Sequence, residues 1–185
     1  VNTKADAPVI AKMMDVLGQV SYHSQFSVLL NFNANVNLPN QAFALINSDR
    51  EHQLAWLSDE GRKAGHVAEG ETLMVAQMSP SWSADHYDDS PASITSAAYQ
   101  SVSSLLGDNL PTLHWSDFQR WRYAHPCAAA KIEDTVDAAE IGLFFAGDAF
   151  VGKGRVPGAL ETGLAAARRI IETFFIATGL EFAFC

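Results

Sequence analysis

The residues best suited to chemistry lie close together between Gly142 and Arg169. An apolar run from Ile141 ends at Gly147-Asp148, and further glycines follow at Gly152, Gly154 and Gly158. The pattern predicts a short, fully apolar strand, a glycine-studded turn and a long helix from Pro157 to about Ile176. In layered α/β sheets, ligands gather at the carboxyl ends of strands. The free N–H groups and dipole of a helix start favour a phosphate or a ring carbonyl there. Asp148 is placed to accept from hydroxyls, and Arg155 to donate to anionic oxygens. The same spacing also fits a tight strand-to-helix connection whose glycines serve packing alone.

Gly147-Asp148, then Gly154-Arg155-Val156-Pro157-Gly158-Ala159, then Gly163-Leu164-Ala165-Ala166-Ala167 together resemble the closing motif of flavin-containing amine oxidoreductases. Upstream, Arg120-Trp121-Arg122-Tyr123-Ala124-His125-Pro126 resembles a signature of the renalase-like branch of that family. Pro80-x-Trp82-Ser83 and Asp6-Ala7-Pro8 are similar to two further family elements, in the family's order. The resemblance implies FAD as cofactor and hydride transfer from a small substrate to the flavin. It places Asp148 at the ribityl–phosphate region, with Arg155 orienting the cofactor, Val156, Gly158 and Ala159 at the ring, and Gly147 and Gly154 among the cofactor-binding residues. Trp121 and Tyr123 become walls of a substrate pocket, with core packing as the other reading of these aromatics. No catalytic residue is assigned.

Two departures stand out. Ala149-Phe150 and Glu161-Thr162 differ from the residues usual at those places. The Gly-x-Gly-x-x-Gly turn that holds the ADP half of FAD is absent from the sequence. The intact protein is therefore expected to be an enzyme with an incomplete FAD site in this chain. The partners expected are a small-molecule substrate and either a missing N-terminal FAD-binding segment or a second copy in a homodimer. The competing expectation is a truncated or degenerate, non-catalytic fragment that acts as a binding or interaction domain.

The elements that must position these residues read as a mixed α/β (α+β) fold. A mostly antiparallel substrate-domain sheet with a covering helix precedes the terminal strand–turn–helix of a Rossmann-like FAD-binding domain. Residues 1–20 are expected to end one FAD-domain segment, 21–125 to form the substrate-binding domain, and 126–185 to supply the last FAD-domain strand and helix. Ile10, Met13, Met14 and Leu17 define the face of a first helix ended by Gly18. Asp6 is expected to cap it. Phe26, Val28, Leu30 and Phe32 alternate with more polar neighbours, the mark of a half-buried strand over 22–33. Short strands are expected at 42–47, 53–58 and 72–78. Pro91 to Leu106 reads as a helix with Ile94, Ala98, Val102, Leu105 and Leu106 on one face. Residues 111–125 read as extended, and 128–140 as loop. On the last helix, Leu160, Leu164, Ala167, Ile171, Phe174 and Phe175 share a face.

Composition narrows the function classes. The 185 residues are 48% hydrophobic with a formal net charge of −9. Arginine and lysine form no run, which argues against a nucleic-acid partner. Cys127 and Cys185 belong to no paired motif and read as free thiols in a reducing, cytoplasmic setting. No apolar run approaches the roughly 20 residues of a membrane span, and no signal peptide is visible. The first residue is valine, so the start reads as the continuation of something longer. The six histidines show no metal-ligand spacing. His125 reads as a loop histidine, and Asp85, Asp88 and Asp89 as a solvated turn.

Overall fold

The computed structural model describes residues 6–107, 109–152 and 154–174. The chain divides into two compact units, His23–Ala124 on one hand and Val1–Tyr22 with His125–Cys185 on the other. The boundaries fall inside two strands, β1 (Ser21–Phe32) and β5 (Leu113–Ala128).

The first unit is built on a sheet of mixed-length strands. With β2 (Ala44–Ile46), β3 (Leu54–Asp59) and β4 (Thr72–Met78), the five strands take the order β2-β3-β4-β1-β5. The pairings of β1 with β4, of β3 with β4 and of β2 with β3 are antiparallel. Period-two patterning makes β1: Phe26, Val28, Leu30 and Phe32 are all completely buried on one face. Val28 lies opposite Ala76 and Leu30 opposite Met74. Leu57 continues the apolar row across β3. At Leu54–Trp56 a register shift accommodates one extra residue.

Helix α3 (Pro91–Leu106) covers this face. Ile94, Ala98 and Val102 are completely buried in the same core cluster as Phe26 and Met74. Leu105, expected on that face, is exposed, whereas Leu106 of the same last turn packs partly buried against the core. Ser90 opens the helix, its hydroxyl accepting from the Ser93 amide at 3.2 Å, with Pro91 next. Gly107 closes it at φ 102°, a conformation glycine adopts freely. Ser90→Ala should therefore cost about 1 kcal/mol in urea unfolding, the usual worth of such a cap. The short helix α2 (Pro80–Asp85) is capped in the same way by Ser79, whose hydroxyl accepts from Trp82.

The second unit contains α1 (Ala7–Gly18), a 3-10 segment over Ile132–Ile141 and α4 (Val156–Phe174). Three expectations fail here. Helix α1 buries Met13 and Val16, while Met14 is 70% exposed and Leu17 is also exposed. Asp6 makes no side-chain cap hydrogen bond. The residues 128–140, expected as loop, are largely helical over Ile132–Ile141. Gly142 ends that segment in the left-handed region, with its amide donating to Ala139 O and that of Leu143 to Ala138 O.

The expected apolar strand over 141–148 does not form. Gly142 is a helix terminator, and residues 143–146 run without a ladder partner. A strand exists only when a neighbour takes its N–H and C=O groups, and the five strands described pair among themselves in one sheet. His125 lies in β5 rather than in a loop. No helix among the described residues is long and apolar enough to cross a membrane. Phe175, the carboxyl end expected for α4 and Cys185 lie outside the described residues.

Candidate functional site

The turn after the failed strand is nevertheless tightly built. Gly147 sits at φ 126° and ψ 178°, accessible in practice only to glycine. Asp148–Phe150 form one 3-10 turn, closed by the Val151 amide donating to Asp148 O at 3.0 Å. Three contacts hold it from elsewhere in the same unit. The Gly147 amide donates to Thr162 Oγ1 of α4 at 2.9 Å. The Ala130 amide donates to Ala149 O at 2.9 Å. Tyr22 Oη donates to Asp148 Oδ1 at 2.8 Å.

Tyr22 and Thr162 escaped sequence reasoning, and for the same reason. Tyr22 lies 126 positions from its partner and looks locally like an ordinary strand residue. Thr162 stood out only as a departure from a motif. The signal that was present is the small-residue stretch of α4, into which a hydroxyl fits close to the turn.

The glycines divide by purpose. A Cβ on Gly154 would stand 2.2 Å from Pro126 Cδ, and one on Gly158 would stand 2.7 Å from Val151 Cγ1. Both are needed for close packing of the chain on itself. Gly152 and Gly163 have open space around them. The packing explanation for the turn is thus correct for Gly154 and Gly158, and backbone conformation explains Gly147.

What the turn leaves available can be stated atom by atom. Asp148 Oδ2 makes no hydrogen bond among the described residues, because Tyr22 occupies Oδ1 alone. Arg155 is exposed and forms no ion pair among the described residues. The Ala159 amide donates to Arg155 O, so Val156 is the first helical residue. The amides of Val156 and Gly158 therefore head α4, while Pro157 has no N–H to offer. An acceptor carboxylate oxygen, a guanidinium and a helix start together suit a ligand carrying both hydroxyls and phosphates. By that chemistry the residues fit a flavin nucleotide.

Burial pushes the Tyr22 hydroxyl up to about 12, and its hydrogen bond to the Asp148 carboxylate adds to the effect. The proton held in the fold is lost more readily when the chain unfolds, at about pH 10 for an ordinary tyrosine. The pair's contribution is therefore complete below about pH 10 and disappears as pH rises toward 12. In urea unfolding between those values, wild type should lose stability more steeply than Tyr22→Phe. Parallel curves would show that the tyrosine's ionisation does not matter.

Trp121 and Tyr123 belong to the other unit. They lie on β5, 50% and 71% exposed, so neither is a core residue. Trp121 Nε1 donates to Ser27 Oγ at 3.1 Å. The alternation of β5 sends their neighbours the other way. The Arg120 guanidinium lies 5.5 Å from the Phe26 ring centre and 5.3 Å from that of Tyr87, and donates to Asp89 O. Arg122 also stacks on Tyr87, at 5.1 Å. The arginines pin the strand, and the aromatics face outward from the uncovered side of the sheet. His86 stacks on Trp82 with centroids 4.2 Å apart, and no group of three acidic, histidine or cysteine ligands suited to a metal occurs among the described residues.

Comparison with known proteins bears on this arrangement. The crystal structure of an Exiguobacterium sp. 255-15 protein assigned as a protoporphyrinogen oxidase superposes with a TM-score of 0.69 at 19% identity. The match covers 94% of this chain and 39% of that one, so the chain spans well under half the length of its solved neighbour. Likeness at this identity establishes the fold. Residues 12–171 match the family model of flavin-containing amine oxidoreductases, and the chain belongs to that family.

Proposed function

We propose that the intact protein is an FAD-dependent oxidoreductase of the renalase-like branch, moving a hydride from a small substrate to the flavin. The observation that carries this reading is the anchored Gly147–Phe150 turn beside the start of α4. It presents an Asp148 oxygen and an Arg155 side chain that have no partner among the described residues, with leading helix amides, within one short stretch. When bound, the flavin supplies the hydride acceptor; the chemistry is the cofactor's own.

The chain's residues have more modest tasks. Asp148 would accept hydrogen bonds from the ribityl hydroxyls, while Tyr22 holds its other oxygen. Arg155 and the helix start would offset phosphate charge and partial negative charge on the ring edge. Gly147, Gly154 and Gly158 let the backbone follow this path, with Val156 and Ala159 as small apolar contacts. Trp121 and Tyr123 supply aromatic surface for a small substrate on the open sheet face. What supports the renalase-like branch is the sequence resemblance of the Arg120–Pro126 segment.

The test is spectroscopic. Full-length protein should purify with flavin absorption bands, and the released cofactor should chromatograph as FAD. Asp148→Ala should weaken FAD retention about tenfold or more, the worth of a hydrogen bond to a charged group. A full-length protein that stays colourless after soaking with FAD defeats the proposal.

One observation favours a second reading, a non-catalytic binding or interaction domain. Helix α4 buries none of its residues: Leu160 is 62% and Leu164 54% exposed, and Phe174 is exposed too. An apolar stripe of this size implies a cover. In the flavin reading the cover is a nucleotide-binding segment of further polypeptide. In the second reading it is another chain, including a second copy. Sedimentation of the 185-residue chain separates these: a monomer that binds an added nucleotide-binding segment supports the first, and a stable dimer the second.

A further inference from the structure

The uncovered face of the sheet carries a second feature, independent of the flavin turn. Trp56 of β3 lies opposite Gln77 of β4, and Ser58 opposite Val75. At this end of the sheet Phe43, Trp56, Ser58, Arg62, Lys63 and Gln77 line an open groove of about 580 Å³. Its apolar side is aromatic: Phe43 meets Trp56 edge-on at 6.5 Å, and Phe43 is largely exposed.

Its charged side is ordered by depth. Asp59 and Glu60 are recessed, with side chains 10% and 11% exposed, whereas Arg62 and Lys63 are 38% and 55% exposed. Both carboxylates are satisfied from within. Asp59 accepts from the Gly61 amide and pairs with Arg62 Nε at 3.4 Å. Glu60 accepts from Ser58 and from Lys63 at 2.7 and 2.8 Å, with His66 Nδ1 at 3.3 Å. Burial alone would push the Glu60 carboxyl up, but these partners outweigh it and hold it below its ordinary value.

The cations keep donors to spare. Arg62 is tethered only through Nε, and its two terminal nitrogens make no hydrogen bond among the described residues. That fork matches a carboxylate in geometry and charge. Lys63 spends its bonds on one carboxylate and retains a further N–H. The Gln77 side-chain amide, on the groove wall, is also without a partner among the described residues. The buried acids thus act as anchors that hold two cations outward beside a bare aromatic pair.

We propose that this groove binds an aromatic carboxylate, its ring against Trp56 and Phe43 and its carboxylate on the Arg62 fork and the Lys63 ammonium. The site is formed within His23–Ala124 and does not rest on the flavin reading.

The test titrates the full chain with naphthoate and, separately, with its neutral isostere naphthamide, by calorimetry. Naphthoate is expected to bind one saturable site about tenfold more tightly than naphthamide, and to lose that preference at high salt. Arg62→Gln should abolish most of the preference. Phe43→Ala, at an exposed position, should weaken both ligands by a similar factor. If Arg62→Gln fails to fold, Lys63→Gln at its exposed position must reduce the preference several-fold. Equal binding of the two compounds, absence of saturation, or a preference that survives both cation substitutions overturns the proposal. None of these readouts involves flavin, so their outcome stands apart from the colour of the full-length protein.

Discussion

Gly154→Ala is expected to destabilise the protein by about 2–3 kcal/mol and to lower its flavin content with it. The added methyl would stand 2.2 Å from Pro126 Cδ, 2.9 Å from Cγ and 3.4 Å from the proline nitrogen. A flexible side chain could swing away from such a contact; a proline ring cannot. Pro126 is buried and belongs to β5, so moving it would disturb the strand. The chain around residue 154 must shift instead, and it runs directly into the start of α4. Thermal unfolding should show a fall in Tm of roughly 5–10 °C for a chain of this size. Flavin retention in the full-length protein should fall in parallel, since Arg155 is the next residue. An alanine variant with wild-type Tm would mean that the backbone there relaxes freely. Gly152→Ala is the natural control, because nothing lies within 4 Å of its added carbon.

Phe26→Ala should be the costlier change, about 3–5 kcal/mol in denaturant unfolding. Phe26 is completely buried in β1. Its ring lies 6.0 Å from Trp82, at an interplanar angle of 71°, and 6.1 Å from both Tyr87 and Phe118. Arg120 covers it at 5.5 Å. Removing the ring leaves a cavity among large, rigid neighbours that cannot close it, and takes one aromatic face from a guanidinium. The strand carrying Trp121 and Tyr123 is fixed through that same arginine. The substitution should therefore loosen the outward aromatics as well, visible as a change in tryptophan emission before the unfolding transition. A loss below about 1 kcal/mol would show that the cluster repacks, contrary to the usual cost of emptying a core site.

Much of the sheet unit was legible in the sequence because its determinants are local. The alternation of Phe26, Val28, Leu30 and Phe32 marks both the strand and its buried face. Pro91 to Leu106 reads as a helix with the ends that α3 takes, whereas its Ser90 cap emerges only in the structure. Thr72 to Met78 reads as a strand for the same reason as β1. Where the reading failed, a local pattern admitted two solutions. Met14 shares the nominal face of α1 with Met13, yet Val16 takes the buried place, because the direction of the covering surface is not written in the helix. Ile141 to Asp148 is apolar enough for a buried strand, but Gly142 serves equally well as a helix terminator.

At the candidate site the division is similar. The sequence by itself determined that a Gly-Asp turn precedes a small-residue helix, and that Trp121 and Tyr123 share a side of an extended segment. It also determined the family, through motifs that keep their order along the chain. Only the tertiary structure decided that Tyr22 and Thr162 hold the turn, and that Gly154 and Gly158 are small because Pro126 and Val151 lie against them. It also decided that recessed acids turn Arg62 and Lys63 outward beside Trp56. The physical reason is range. Backbone periodicity and capping are settled within a few residues, whereas a hydrogen bond such as Tyr22 to Asp148 joins groups 126 positions apart, whose meeting depends on every element folded between them.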